Sequence, residues 1–342
     1  MKKVLIAMCA MAAVMSCAKT EFAFEQSSEI SFSPVSKYYT KAAVTNGTYA
    51  QDLNFYAWAY TKEDTPKAYF AEILFKPEAT QPDDRPAGLT SYTGVTPQYW
   101  PNEKALQFAG VSESGNVAAS IVEMTNSSTL VVTGFDQPLP NNTTLANDLM
   151  WFFDDNAGSG YSKANTKYVQ PTMKHACSWI EINVELDDAL VDYWTDVEVN
   201  SIVFESLLTT GTATLTATTA NWSNQNTEET NISIFAGTEE IDAAPKKIET
   251  NENNTIVIPQ APTTLAVNFS YTAPAGGNVS ETVSGIKLDY NGASPWVAGK
   301  KYIYTLTISA DEIKIAPKSE GWDEDLNGDT AGNGQPDHID VK

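Results

Sequence analysis

Apolar residues recur at every second position along much of this chain. That period suits an extended strand, which turns one row of side chains toward a core and the other toward water. In Trp179 to Leu186, the residues Ile180, Ile182, Val184 and Leu186 face one way while Glu181, Asn183 and Glu185 face the other. Leu265, Val267, Phe269 and Tyr271 alternate with Ala266, Asn268, Ser270 and Thr272, and Tyr302, Tyr304, Leu306 and Ile308 alternate with Lys301, Thr305 and Thr307. Leu215 sits in a Thr/Ala run of the same period. These are half-buried strands of antiparallel sheets. Helical periodicity is scarce, with a short turn near Asp187 to Trp194 as its best case. Asn46-Gly47, Gly276-Gly277 and Asn291-Gly292 punctuate the strands as turns. The expected fold class is all-β, with two tandem antiparallel β-sandwich domains.

A length of 342 residues fits two domains with room for a leader and a tail. The polar stretch Asp154 to Lys167 separates the apolar Leu149 to Phe153 from the strand that begins near Val169, so the division falls there. The expected segments are a leader at 1–16, an N-terminal segment at 17–41, a first sandwich at 42–165, a second at 166–317 and an acidic tail at 318–342.

Asp and Glu number 43 against 21 Lys and Arg, a formal net charge of -22. A polyanion gains nothing from docking on so acidic a chain, which excludes nucleic acid as a partner. The 8 Trp, 15 Tyr and 13 Phe supply far more core material than a disordered acidic chain carries. Two histidines and three cysteines leave little for metal or nucleophilic chemistry. His175 and Cys177 share a strand face but stand about 6.6 Å apart, beyond the reach of proton transfer, and read as packing residues. Asp154-Asp155 and Asp187-Asp188 are adjacent pairs with no mark of a general acid and base. The expectation is that the chain is not an enzyme.

Lys2 and Lys3 precede a short apolar run from Val4 to Val14, too short to span a bilayer, which reads as a secretory leader. Val14-Met15-Ser16-Cys17 resembles the lipobox of bacterial lipoproteins. That resemblance makes Cys17 the acylated N-terminus of the mature chain, anchored in a membrane through its lipid; the alternative is an ordinary secretory leader that happens to end near Cys17. With Cys9 removed and Cys17 acylated, Cys177 has no disulfide partner.

Glu29-Ile30-Ser31-Phe32-Ser33-Pro34, Tyr99-Trp100-Pro101 leading to Leu106-Gln107-Phe108, Met173-Lys174-His175-Ala176, Trp296 to Leu306 and Gly321-Trp322 follow one another in an order that resembles fimbrillin-like proteins, the subunits of type V pili. The resemblance spans most of residues 28 to 322. It implies transthyretin-like sandwiches, export as a lipoprotein to the outer membrane and the surface fimbrium, and a structural or adhesive role, with a host or bacterial surface ligand. It also implies assembly with other subunits, or with copies of itself, by strand exchange: a protease removes the first strand after a basic residue, and a neighbour's strand fills the groove. Here the matching strand is about Ser28 to Val35, with Ile30 and Phe32 as its inward groove-filling pair. Family members often carry Arg at the cut, but Arg85 lies well beyond this strand. Lys37 and Lys41 are the processing candidates, and each could equally be a plain solvated lysine. The rival reading is a monomeric outer-membrane surface lipoprotein that binds glycans on aromatics such as Tyr38, Tyr39 or Trp222.

The tail holds Asp323, Asp325, Asn327, Gly328 and Asp329, the first half of a D-x-[DN]-x-[DN]-G calcium loop. Gly334 stands where a bidentate Glu would close an EF-hand, although Asn333, Asp337 and Asp340 offer further oxygens. The expectation is a solvated acidic tail and no cofactor, with calcium bound by these oxygens as the alternative.

Overall fold

The computed structural model describes residues 28–36, 53–85, 89–137, 148–226, 230–248, 256–288 and 295–321. Strands dominate them, and their helical content is one 3-10 turn at Ala119–Ile121. The alternating segments form the strands Ser178–Leu186, Thr210–Leu215, Thr264–Thr272 and Lys300–Ile308. Their apolar rows are buried, with Tyr271 alone of these residues left partly exposed. Gly276 and Gly277, at φ 78° and 108°, make the turn between Thr264–Thr272 and Asn278–Lys287, a backbone that side-chain-bearing residues rarely adopt.

The first layer is a sheet that closes on itself. Tyr92–Gly94, Ala68–Pro77, Phe55–Thr61, Leu106–Ser112 and Met150–Asp154 pair in that order, all antiparallel. Thr172–His175 adds to the far edge. The N-terminal segment, with strands at Ser31–Phe32 and Val35–Ser36, then pairs with Tyr92–Gly94 on one side and in parallel with residues 168–173 on the other. Closure of the ring removes both sheet edges. Its interior is aromatic, with Phe32, Phe55, Phe75, Phe108, Phe152 and Tyr92 among its buried residues. Gly110 makes room for this packing, because a Cβ there would stand 2.3 Å from the Phe152 ring and 2.9 Å from the Tyr56 carbonyl.

Outside the barrel, the four-stranded sheet Ala220–Ser223, Thr210–Leu215, Thr129–Asp136 and Val122–Asn126 covers a second core. That core takes Trp58 and Trp151 from the barrel, Leu130 and Phe135 from the cover, and Cys177 and Trp179 from the chain leading onward. The cover draws strands from sequence-distant parts of the chain, so the strand holding Leu215 pairs with Thr129–Asp136.

The third core lies between two sheets in a sandwich. One contains Lys246–Lys247, Ser178–Leu186, Lys300–Ile308 and Ile313–Gly321, and the other Thr230–Glu240, Thr195–Leu207, Thr264–Thr272 and Asn278–Lys287. Ser178–Leu186 and Lys300–Ile308 run parallel over eight paired residues, a departure from the expected antiparallel pairing. The long connection between them, which passes through the opposite sheet, permits this. Glu181 ties these strands together, with Lys247 and Lys301 each 3.0 Å from the same oxygen and Lys301 also 4.4 Å from the centre of the Trp179 ring.

Candidate functional site at the first strand

Residues 28–36 close the barrel with few backbone bonds and a deep apolar insertion. On one side the Ile30 N–H donates to the Gln98 carbonyl at 2.7 Å and the Trp100 N–H to the Ser28 carbonyl at 3.2 Å. On the other, the Ser33 N–H donates to the Val169 carbonyl at 2.8 Å and the Val35 N–H to the Pro171 carbonyl at 3.0 Å. Ile30 and Phe32 are fully buried. The Phe32 ring centre lies 4.7 Å from that of Phe75, 5.2 Å from Phe108 and 5.4 Å from Phe55, each edge-on, the arrangement that aromatic quadrupoles favour. Burying each of these two side chains contributes about 1.5–3 kcal/mol.

The backbone pairing is interrupted by proline. Ser31 is level with Tyr168 and Val35 with Thr172, so in one continuous register Pro34 falls opposite Pro171. A parallel ladder would draw a bond from residue 171 to the Ser33 carbonyl, and Pro171 has no N–H to give. The Ser33 Oγ and the Trp100 Nε1 are buried without a partner among the described residues, each at a cost of about 1–3 kcal/mol. Partial burial, and then the charge of Glu78, raise the Glu29 carboxyl above its ordinary range. The strand is thus anchored by its side chains and held thinly by its backbone.

The fimbrillin-like family profile matches residues 40–322, which takes in most of the barrel, the covering sheet and the sandwich and begins after the first strand. The chain belongs to the fimbrillin-like family. Among solved structures it is similar to one described as a cell adhesion protein of Bacteroides ovatus, at 13% identity and TM-score 0.51 over 86% of this chain and 97% of that one, a likeness of fold. A protein of Bacteroides uniformis with the same description has 17% identity and TM-score 0.47, covering 86% and 98%. The tip fimbrial protein Mfa3 of Porphyromonas gingivalis, with a C-terminal truncation, has 9% identity and TM-score 0.36, covering 86% and 100%. No curated protein matches the chain. Family membership supports a pilus or adhesion subunit at the cell surface, structural rather than enzymatic.

In this fimbrillin-like protein His175 and Cys177 are both fully buried and serve different partners. His175 Nδ1 meets Asp148 Oδ2 at 2.6 Å, while the Cys177 thiol points to Gln137 Oε1 at 3.7 Å. Burial, with the charge of Asp148 second, pushes the thiol well above its ordinary value, which disfavours the thiolate form. Trp222 is half-buried: it packs on the second core, edge-on to Phe135 at 5.6 Å, and donates its indole N–H to the Ala176 carbonyl. Asp154 and Asp155 separate, the first accepting from the Tyr161 hydroxyl at 2.8 Å and the second from Lys62 at 2.6 Å. Cys17, Lys37, Lys41, Tyr38, Tyr39 and the tail residues Asp323, Asp325, Asn327, Asp329 and Asp337 lie outside the described residues. Sequence reading missed Asp148, Pro171 and the aromatic ring around Phe32, because each meets its partner only through pairing between distant segments.

Proposed function

We propose that this chain is a type V pilus subunit, exported as a lipoprotein through Cys17 and assembled when its first strand is removed and replaced by one from a neighbouring subunit. The observation that carries this reading is the seating of residues 28–36, where two fully buried side chains plug the barrel while Pro171 on the partner strand interrupts the backbone ladder. Without this segment the barrel would have two open strand edges and an aromatic groove, and a donated strand satisfies both at once. Lys37 and Lys41, which follow the segment directly, are the basic residues at which a protease would cut.

An engineered protease site after Lys41 tests the proposal. The cut protein is expected to oligomerise, or to take up a synthetic strand peptide, while the uncut protein does neither. A cut protein that stays monomeric and binds no such peptide overturns exchange at this site. An intact acylated Cys17 on material isolated from cells, with no start after Lys37 or Lys41, would instead favour a membrane anchor or a monomeric surface lipoprotein.

A further inference from the structure

A cleft of about 200 Å³ lies between the covering sheet and the barrel. Gln107, Phe153 and Asp154 line it from the barrel, Ser127 and Ser128 from the turn between Val122–Asn126 and Thr129–Asp136, and Ala217 from the turn after Thr210–Leu215. Alternation sends Phe152 into the barrel and leaves Phe153 facing out, where the second core covers it only in part. Among the described residues, neither the Gln107 carboxamide nor the Ser127 hydroxyl has a protein hydrogen-bond partner. Asp154 takes one donor on each oxygen, the Asn156 N–H at 2.9 Å and the Tyr161 hydroxyl at 2.8 Å, so each oxygen keeps acceptor capacity.

We propose that this cleft binds one neutral pyranose unit of a glycan, its C–H face against the Phe153 ring and its hydroxyls bonded to Gln107, Asp154 and Ser127. Drug-sized sites run to roughly 300–1,000 Å³, and this cleft is smaller, the size of a single sugar ring. A hydroxyl both donates and accepts, matching an amide, a carboxylate and serines that together do the same. An ammonium is drawn to Asp154 but gives up the acceptor that a hydroxyl at the same ring position offers the Gln107 N–H groups. Anionic sugars are disfavoured, because Lys62 neutralises Asp155 across 2.6 Å while Asp154 has no cation paired with it among the described residues. The proposal does not depend on strand exchange, since the cleft is complete in the single chain with its first strand in place.

Saturation-transfer NMR on the full chain tests it, with the methyl pyranosides of glucose, galactose, mannose and N-acetylglucosamine as neutral probes and glucuronic acid and glucosamine as charged ones. Transfer to at least one neutral pyranoside is expected, with affinity reduced at least tenfold in Gln107→Leu and in Ser127→Trp, which fills the cleft from its rim. Both positions lie outside the buried cores, and an unchanged melting temperature establishes that each variant is folded. Absence of transfer from every neutral probe, equal binding in both folded variants, or stronger binding of glucosamine than of any neutral sugar each overturns the proposal.

Discussion

Pro34 stands opposite Pro171 where the first strand runs parallel to residues 168–173. Pro171 removes the one ladder donor that would reach the Ser33 carbonyl, while Phe32, two residues from Pro34, is packed on three sides by aromatic rings. Local opening of this strand is therefore expected to cost more in side-chain extraction than in backbone hydrogen bonds.

Pro171→Ala supplies an N–H that the parallel ladder can aim at the Ser33 carbonyl. The new hydrogen bond is worth about 0.5–1.5 kcal/mol. Greater freedom of the unfolded chain offsets about 0.4–1 kcal/mol of it. Global stability should change little, while amide exchange at Ser33 and Val35 slows. Exchange as fast as in the native protein would count against a ladder weakened by proline.

Phe32→Ala removes the plug from the barrel and should cost about 3–5 kcal/mol in urea unfolding. Exchange at Ile30 and Ser33 should accelerate more than at Val184 or Leu306 in the sandwich. A uniform effect across both regions would mean that the strand is not a separable unit.

Gly110→Ala puts a methyl group against the Phe152 ring and the Tyr56 carbonyl, neither of which can yield without shifting the barrel. A loss of about 1–3 kcal/mol is expected from such overpacking. Gly134→Ala, where a Cβ meets no atom within 4 Å, gives a control in which the strain of φ +66° acts alone.

Burial alone would raise the Glu181 carboxyl, but the hydrogen bonds and charges of Lys247 and Lys301 outweigh it and hold the group below its ordinary value of 4.5. Its contribution is complete above that value, where the unfolded chain is also ionised, and is lost as pH falls through the lower folded value. Glu181→Gln should thus lose about 1 kcal/mol at pH 7. The difference from native should shrink progressively as pH falls below 4.5, as read from urea midpoints across that range. A difference that stays constant with pH would exclude the charge as its source.

Cys17→Ala should abolish stable membrane attachment and slow leader removal, which fractionation of expressing cells would show. Normal retention of the variant in the membrane would sink the lipoprotein reading.

Much of the fold was legible because a strand's period is local. Ile180 to Leu186 and Tyr302 to Ile308 declare their buried faces within a few residues, and Gly276-Gly277 declares its turn by backbone freedom alone. The direction of pairing was not local. Nothing near Trp179 shows that it lies beside Lys301 in a parallel ladder, or that the strand of Leu215 covers the barrel.

The same division holds at the site. The sequence by itself determined that Ile30 and Phe32 alternate within a short strand near the N-terminus and that the chain has the ordered motifs of its family. Only the tertiary structure decided that this strand closes a barrel, that Phe32 enters a cage of Phe55, Phe75 and Phe108, that Pro34 meets Pro171, and that Gln107, Phe153 and Ser127 share a cleft. The physical reason is that alternation and turn preference act between neighbours, whereas ring closure and cleft formation depend on segments brought together by burial of apolar surface, which is non-directional and carries no register in the local sequence.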